Sequence, residues 1–123
     1  HALVEVSHFV QRDMDVSALG FAVGVTPMDT HYPAEIGLSR YFSDLPRGVC
    51  GTGDSFETAA PKVPCQLVDM EGYALAKVCK KLDVRLISVK YITDGANDTA
   101  HLDWEENLLW GAQKLFKLYQ GMQ

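Results

Sequence analysis

The sequence predicts an α/β fold, on three observations. Apolar, β-branched runs of strand length recur along the chain, its second half alternates them with helical periodicity, and it closes on a long amphipathic pattern. Residues 3–11 set Val4, Val6 and Phe9 among polar neighbours and read as one or two short strands. Arg12-Asp13-Met14-Asp15 then leads into an irregular stretch. Gly20, Gly24, Pro27, Pro33, Gly37 and Pro46 break it into loops, with room for a short helix near residues 34–42. Gly48-Val49-Cys50-Gly51-Thr52-Gly53-Asp54 reads as a strand running into a Gly-rich turn, and residues 66–70 as a second short strand. Tyr73, Ala74, Val78 and Leu82, with Ala76 and Cys79, recur at helical spacing and predict a helix over residues 71–82, stopped at Asp83. Residues 84–93 hold Val84, Leu86, Ile87, Val89, Tyr91 and Ile92, the pattern of a strand buried inside a sheet. In the final helix Trp104, Leu108, Ala112, Leu115 and Tyr119 form one stripe, flanked by Leu109 and Phe116. Asp103 and Glu106 form an Asp-led capping box at its start.

The 123 residues fit one domain, 1–123. A hydrophobic fraction of 47% and a charged fraction of 22% suit a globular chain with a modest core. The net charge of −5, without a Lys/Arg cluster, argues against a nucleic-acid partner. No apolar run reaches membrane-spanning length, and the opening residues lack the basic and apolar regions of a signal peptide. Cys50, Cys65 and Cys79 are odd in number, which suits a reducing, cytoplasmic location. Neither Cys-x-x-Cys nor His-x-x-x-His spacing occurs, so no metal and no cofactor is expected. His8, His31 and His101 are scattered and read as surface or structural residues. The chain opens on His1 rather than Met, so a processed chain, a tag remnant or a piece of something longer is expected.

Ligands of α/β sheets gather at the carboxyl ends of strands. Three such ends are polar here: Gly53-Asp54-Ser55-Phe56-Glu57, Asp69-Met70-Glu71, and Thr93-Asp94-Gly95-Ala96-Asn97-Asp98. If they are neighbours they form an acidic pocket with an aromatic wall. Each also has a plain structural reading. Asp94 suits a turn before Gly95, and Glu71 suits the first turn of a helix, where its charge meets the helix dipole. Phe56 and Trp104 suit a core, Met70 suits a gap, and Gly51-Thr52-Gly53 lacks the Lys and spacing of a P-loop.

Taken in order, these ends resemble the nucleoside phosphorylase/nucleosidase superfamily. Asp69-Met70-Glu71-Gly72 resembles its Glu-Met-Glu segment, Thr93-Asp94 its Ser/Thr-Asp strand end, and Gly51-Thr52-Gly53-Asp54-Ser55-Phe56 its Ser-Gly-Asp-x-Phe turn. The branch most similar is that of the methylthioadenosine/S-adenosylhomocysteine nucleosidases, and the likeness runs from about Val4 to about Tyr119. It implies a three-layer αβα fold with a mixed sheet, of which this chain holds the C-terminal half. It also implies cleavage of a purine nucleoside in purine salvage, by a homodimer, with water as nucleophile and adenine as product. Asp94 would protonate purine N7 and Thr93 would orient it. Glu71 would accept hydrogen bonds from the ribose hydroxyls and Met70 would pack on the sugar. Phe56 would stack on the base, the backbone of Glu57 would read its edge, and Trp104 would line the same pocket. Residues 12–27 resemble a segment near the subunit interface.

The chemistry agrees with these implied roles. Protonating the departing purine is general acid catalysis, worth about 10²–10⁴-fold, and a carboxylate on the ribose favours a cationic sugar. The chain departs from the family pattern at Asp69, where many members have Glu, and at Lys90, where some have Arg. The stretch between Thr26 and Gly48 is also shorter than usual. Full-length members are nearly twice as long, and their N-terminal half supplies the glutamate that activates water. The alternatives to a hydrolase are a phosphate-dependent phosphorylase, a non-catalytic nucleoside-binding protein, and an inactive fragment of the same fold.

Overall fold

The computed structural model describes residues 2–29, 34–56, 58–93 and 100–123, with the backbone alone over 100–106. Its order is β1 (Leu3–Gln11), a 3-10 turn (Ser17–Leu19), β2 (Glu35–Gly37), β3 (Arg47–Thr52), β4 (Leu67–Asp69), α1 (Gly72–Lys81), β5 (Val89–Tyr91) and α2 (Ala100–Gly121). β1 is the hub of a mixed sheet. It runs parallel to β3, which runs parallel to β4. β2 and β5 are both antiparallel to β1, β2 along His8–Val10 and β5 along Leu3–Glu5. The α/β class is as expected, and the sheet is mixed.

The core sits between the sheet and α1. Val6, Phe9, Ile36, Cys50, Leu67, Tyr73 and Ala76 form one buried cluster, with Val4, Leu38, Leu86 and Ile92 packed against it. Alternation along β1 sends Val4, Val6 and Phe9 inward only because the pairing with β3 slips between Val6 and His8. That irregularity lets Val6 and Phe9, three apart, share the core side.

Four expectations need correction. Residues 34–42 hold no helix: Glu35–Gly37 is a strand, because Ile36 pairs with Phe9 and is buried beside it. Residues 84–93 are not a long interior strand. Only Val89–Tyr91 pairs, with one neighbour, and it stays half-buried while Val84 is exposed. On α1 the buried face is Gly72, Tyr73 and Ala76, and Val78 and Leu82 point to solvent. Among the described side chains of α2 the buried residues are Asn107 and Gly111, while Leu108, Leu115 and Tyr119 of the expected stripe are exposed. α2 reaches the sheet at β5, where Gly111 lies against the Tyr91 ring so closely that an added Cβ would stand 2.9 Å from Tyr91 Cε1.

The stop of α1 follows local rules. Asp83 takes a left-handed φ of 54°, its N–H bonds to Lys80 O, and the N–H of Val84 bonds to Cys79 O. Those two bonds make a Schellman ending, so Asp83 ends the helix as expected.

Candidate active site

The parallel strands β1, β3 and β4 end side by side, and short hydrogen bonds lash their ends together. Arg12 N–H donates to Thr52 O (3.0 Å), and Gly53 N–H to Asp69 O (3.1 Å). Asp54 N–H donates to the Asp13 carboxylate (2.9 Å). The buried Arg12 guanidinium donates to Ser55 O, which anchors the turn leading to Phe56. Gly51 at the end of β3 and Gly53 just after it give the Arg12 side chain room. A Cβ at Gly51 would lie 2.9 Å from Arg12 Cβ, and one at Gly53 would lie 2.6 Å from Arg12 Cζ. The turn is therefore shaped around Arg12.

Asp69 joins β4 to three other elements. Its Oδ1 accepts the Thr52 hydroxyl at 2.5 Å. Its Oδ2 accepts Gly72 N–H at 3.0 Å and Lys90 Nζ at 2.8 Å. The Thr52 hydroxyl in turn accepts Tyr73 N–H at 2.9 Å. Two N–H groups at the start of α1 thus find acceptors on β3 and β4, while Glu71, the residue at the N-cap position, makes no capping bond with its side chain. Glu71 thus stands at the start of α1, where a negative charge meets the helix dipole without a capping bond, and it is exposed. Below this cluster lies the Cys50 thiol, whose pKa is pushed up to about 12, first by burial and then by the charge of Asp69.

The expected residues fall as follows. Met70 and Glu71 lie together and exposed between β4 and α1, with Met70 44% accessible. Phe56 is 50% accessible on the turn after β3. Thr93 is half-buried two residues past β5, and its carbonyl accepts the Asn107 side-chain amide at 3.2 Å. Asp94 and Glu57 lie outside the described residues, as does the side chain of Trp104. A cavity of about 470 Å³ runs between β4 and β5, lined by Cys65, Leu67, Val68, Lys90, Tyr91 and Thr93 among others. Among the described residues of the expected set Thr93 lines it, and Phe56, Met70 and Glu71 do not.

Sequence reasoning missed three residues that organise this end of the sheet. Arg12 follows a strand and looked like a loop cation. Asn107 is a lone amide on the inward face of α2, and that was the only signal it offered. Asp69 stands out in the sequence only as a departure from the family's Glu, and its bonds to Thr52 and Lys90 are not legible there. No group of three or more potential metal ligands occurs among the described residues.

Comparison with known proteins matches residues 2–122 to the family described as the phosphorylase superfamily. A 5'-methylthioadenosine/S-adenosylhomocysteine nucleosidase of Haemophilus influenzae is 30% identical, the match covering 90% of this chain and 56% of the relative. An aminodeoxyfutalosine nucleosidase of Helicobacter pylori is 26% identical, covering 98% of this chain and 59% of the relative. The chain also superposes on a 5'-methylthioadenosine/S-adenosylhomocysteine nucleosidase structure from Helicobacter pylori, solved with butyl-thio-DADMe-Immucillin-A. The TM-score is 0.83 at 25% identity, over 98% of this chain and 59% of the other. The chain thus spans between half and two thirds of the length of these relatives.

Proposed function

Because the chain belongs to the phosphorylase superfamily, we propose that it forms part of a nucleosidase. The enzyme would hydrolyse the N-glycosidic bond of 5'-methylthioadenosine or S-adenosylhomocysteine to adenine and the 5-substituted ribose. The observation that carries this reading is the uncommitted Glu71. Its helix is capped by Asp69 and Thr52, which leaves an exposed carboxyl beside Met70 at the joined strand ends. Such a carboxyl suits a pair of ribose hydroxyls.

In the proposed reaction the C1′–N9 bond breaks and its electron pair goes to the purine. Asp94 gives N7 a proton, Thr93 orients Asp94, and water delivers hydroxide to C1′. The second proton of that water passes to a glutamate that the family carries outside this stretch. Glu71 favours the cationic sugar, Met70 packs on it, Phe56 stacks on the base, the Glu57 backbone reads the base edge, and Trp104 closes the pocket. We assign a cytoplasmic setting, which the odd number of cysteines suits, and a homodimer with residues 12–27 near its interface. The relatives named aminodeoxyfutalosine nucleosidase favour a second substrate with the same scissile bond.

Release of adenine from each nucleoside, with and without phosphate, tests the reading. Release independent of phosphate is expected, and Asp94→Asn should remove most of it, about 10²-fold or more, with folding intact. Release only with phosphate would make the protein a phosphorylase. Near-normal turnover by Asp94→Asn would show that Asp94 is not the acid.

A further inference from the structure

A helix leaves its first N–H groups without partners inside the helix, and the N-cap side chain is the usual acceptor. In α1 that position belongs to Glu71, which serves none of them. Gly72 N–H goes to the Asp69 carboxylate and Tyr73 N–H to the Thr52 hydroxyl, itself held by Asp69. The same carboxylate takes Lys90 from β5, and the Asp69 and Lys90 side chains are 9% and 32% accessible. One nearly buried carboxylate therefore binds the end of β3, the start of α1 and β5. It stands two residues before Glu71, and its partner Lys90 stands three residues before Thr93.

We propose, resting on the nucleosidase reading, that Asp69 is a positioning residue: by capping α1 in place of Glu71 and gripping Lys90, it frees the Glu71 carboxyl for the sugar hydroxyls of a purine nucleoside and sets its height against β5. Asp69 touches no part of the nucleoside and acts through Glu71. Without it, Gly72 N–H has no acceptor, and the Glu71 carboxyl is the group placed to turn back and cap the helix. A displacement of that kind, on the order of 1 Å, costs about 10²-fold in rate.

The test compares Asp69→Ala, Asp69→Asn, Glu71→Gln and the double variant Asp69→Ala/Glu71→Gln in adenine release, with adenine affinity by calorimetry and thermal midpoints alongside. Asp69→Ala is expected to lower kcat about tenfold to hundredfold and leave adenine affinity unchanged. Asp69→Asn keeps one acceptor oxygen for Gly72 N–H, turns an amide N–H towards the Thr52 hydroxyl and loses the negative charge that holds Lys90, so its loss should be smaller than that of Asp69→Ala. Adding Asp69→Ala to Glu71→Gln should cost little more than Glu71→Gln alone, since the two act through one group. Additive losses, or an unchanged kcat in the folded Asp69 variants, would overturn the proposal while leaving the nucleosidase reading intact. A full-length protein, carrying the glutamate that the family has outside this stretch, that releases adenine from no nucleoside would overturn that reading and the proposal with it. If Asp69→Ala does not fold, Asp69→Asn carries the same comparison.

Discussion

Replacing Gly72 by Ala sets two effects against each other. Ala is better than Gly in a helix by as much as about 1 kcal/mol, and less at a first position such as this. Against that, an added Cβ would overlap both the Phe9 ring and an Asp69 carboxylate oxygen. Phe9 is 1% accessible and wedged in the core cluster, so its ring has nowhere to go. Overpacking of this kind costs about 1–3 kcal/mol, and pushing Asp69 off Gly72 N–H forfeits a cap worth about 1 kcal/mol. The clash wins, leaving a net loss of about 1–3 kcal/mol. For a domain of this size each kcal/mol moves Tm by roughly 4 °C, so Gly72→Ala should lower Tm by about 4–12 °C. Calorimetry with circular dichroism at the same pH reads it. A Tm equal to or above that of the unaltered protein would refute the contact between Phe9 and the start of α1.

Three further outcomes are expected. Glu5 is 1% accessible, accepts Tyr41 N–H at 2.7 Å and lies 3.7 Å from Arg47 Nε. Glu5→Ala should therefore cost about 3–5 kcal/mol in urea titration, and Glu5→Gln, which keeps the acceptor, clearly less. The Cys50 thiol has its pKa raised by burial to about 12, against about 8.5 unfolded. Its contribution is whole below pH 8.5 and is lost as pH climbs towards 12, at up to about 1.4 kcal/mol per unit; Cys50→Ala should flatten the fall of Tm between pH 9 and 10. Asn107→Ala removes the donor to Thr93 O and should cost about 1–2 kcal/mol, with a loss of adenine release larger than any change in adenine affinity.

The sequence determined on its own what depends on a few adjacent residues. Strands appear near residues 3–11, 47–52 and 67–69 where β-branched runs predicted them, and α1 stops at Asp83 through bonds confined to six residues. The motifs at three strand ends carried the family. Only the tertiary structure decided which backbone found a partner. Residues 84–88 have strand composition, yet just Val89–Tyr91 comes into register with β1. Glu35–Gly37 has loop composition, yet becomes a strand because Ile36 meets Phe9. Tertiary contact also chose the inward face of α2, by fitting Gly111 against Tyr91. The same holds for Asp69, which meets Thr52 and Lys90 from seventeen residues before it and twenty-one after it. Propensity and capping act within a turn of chain, whereas the value of a pairing or of a buried charge depends on groups that folding alone brings near.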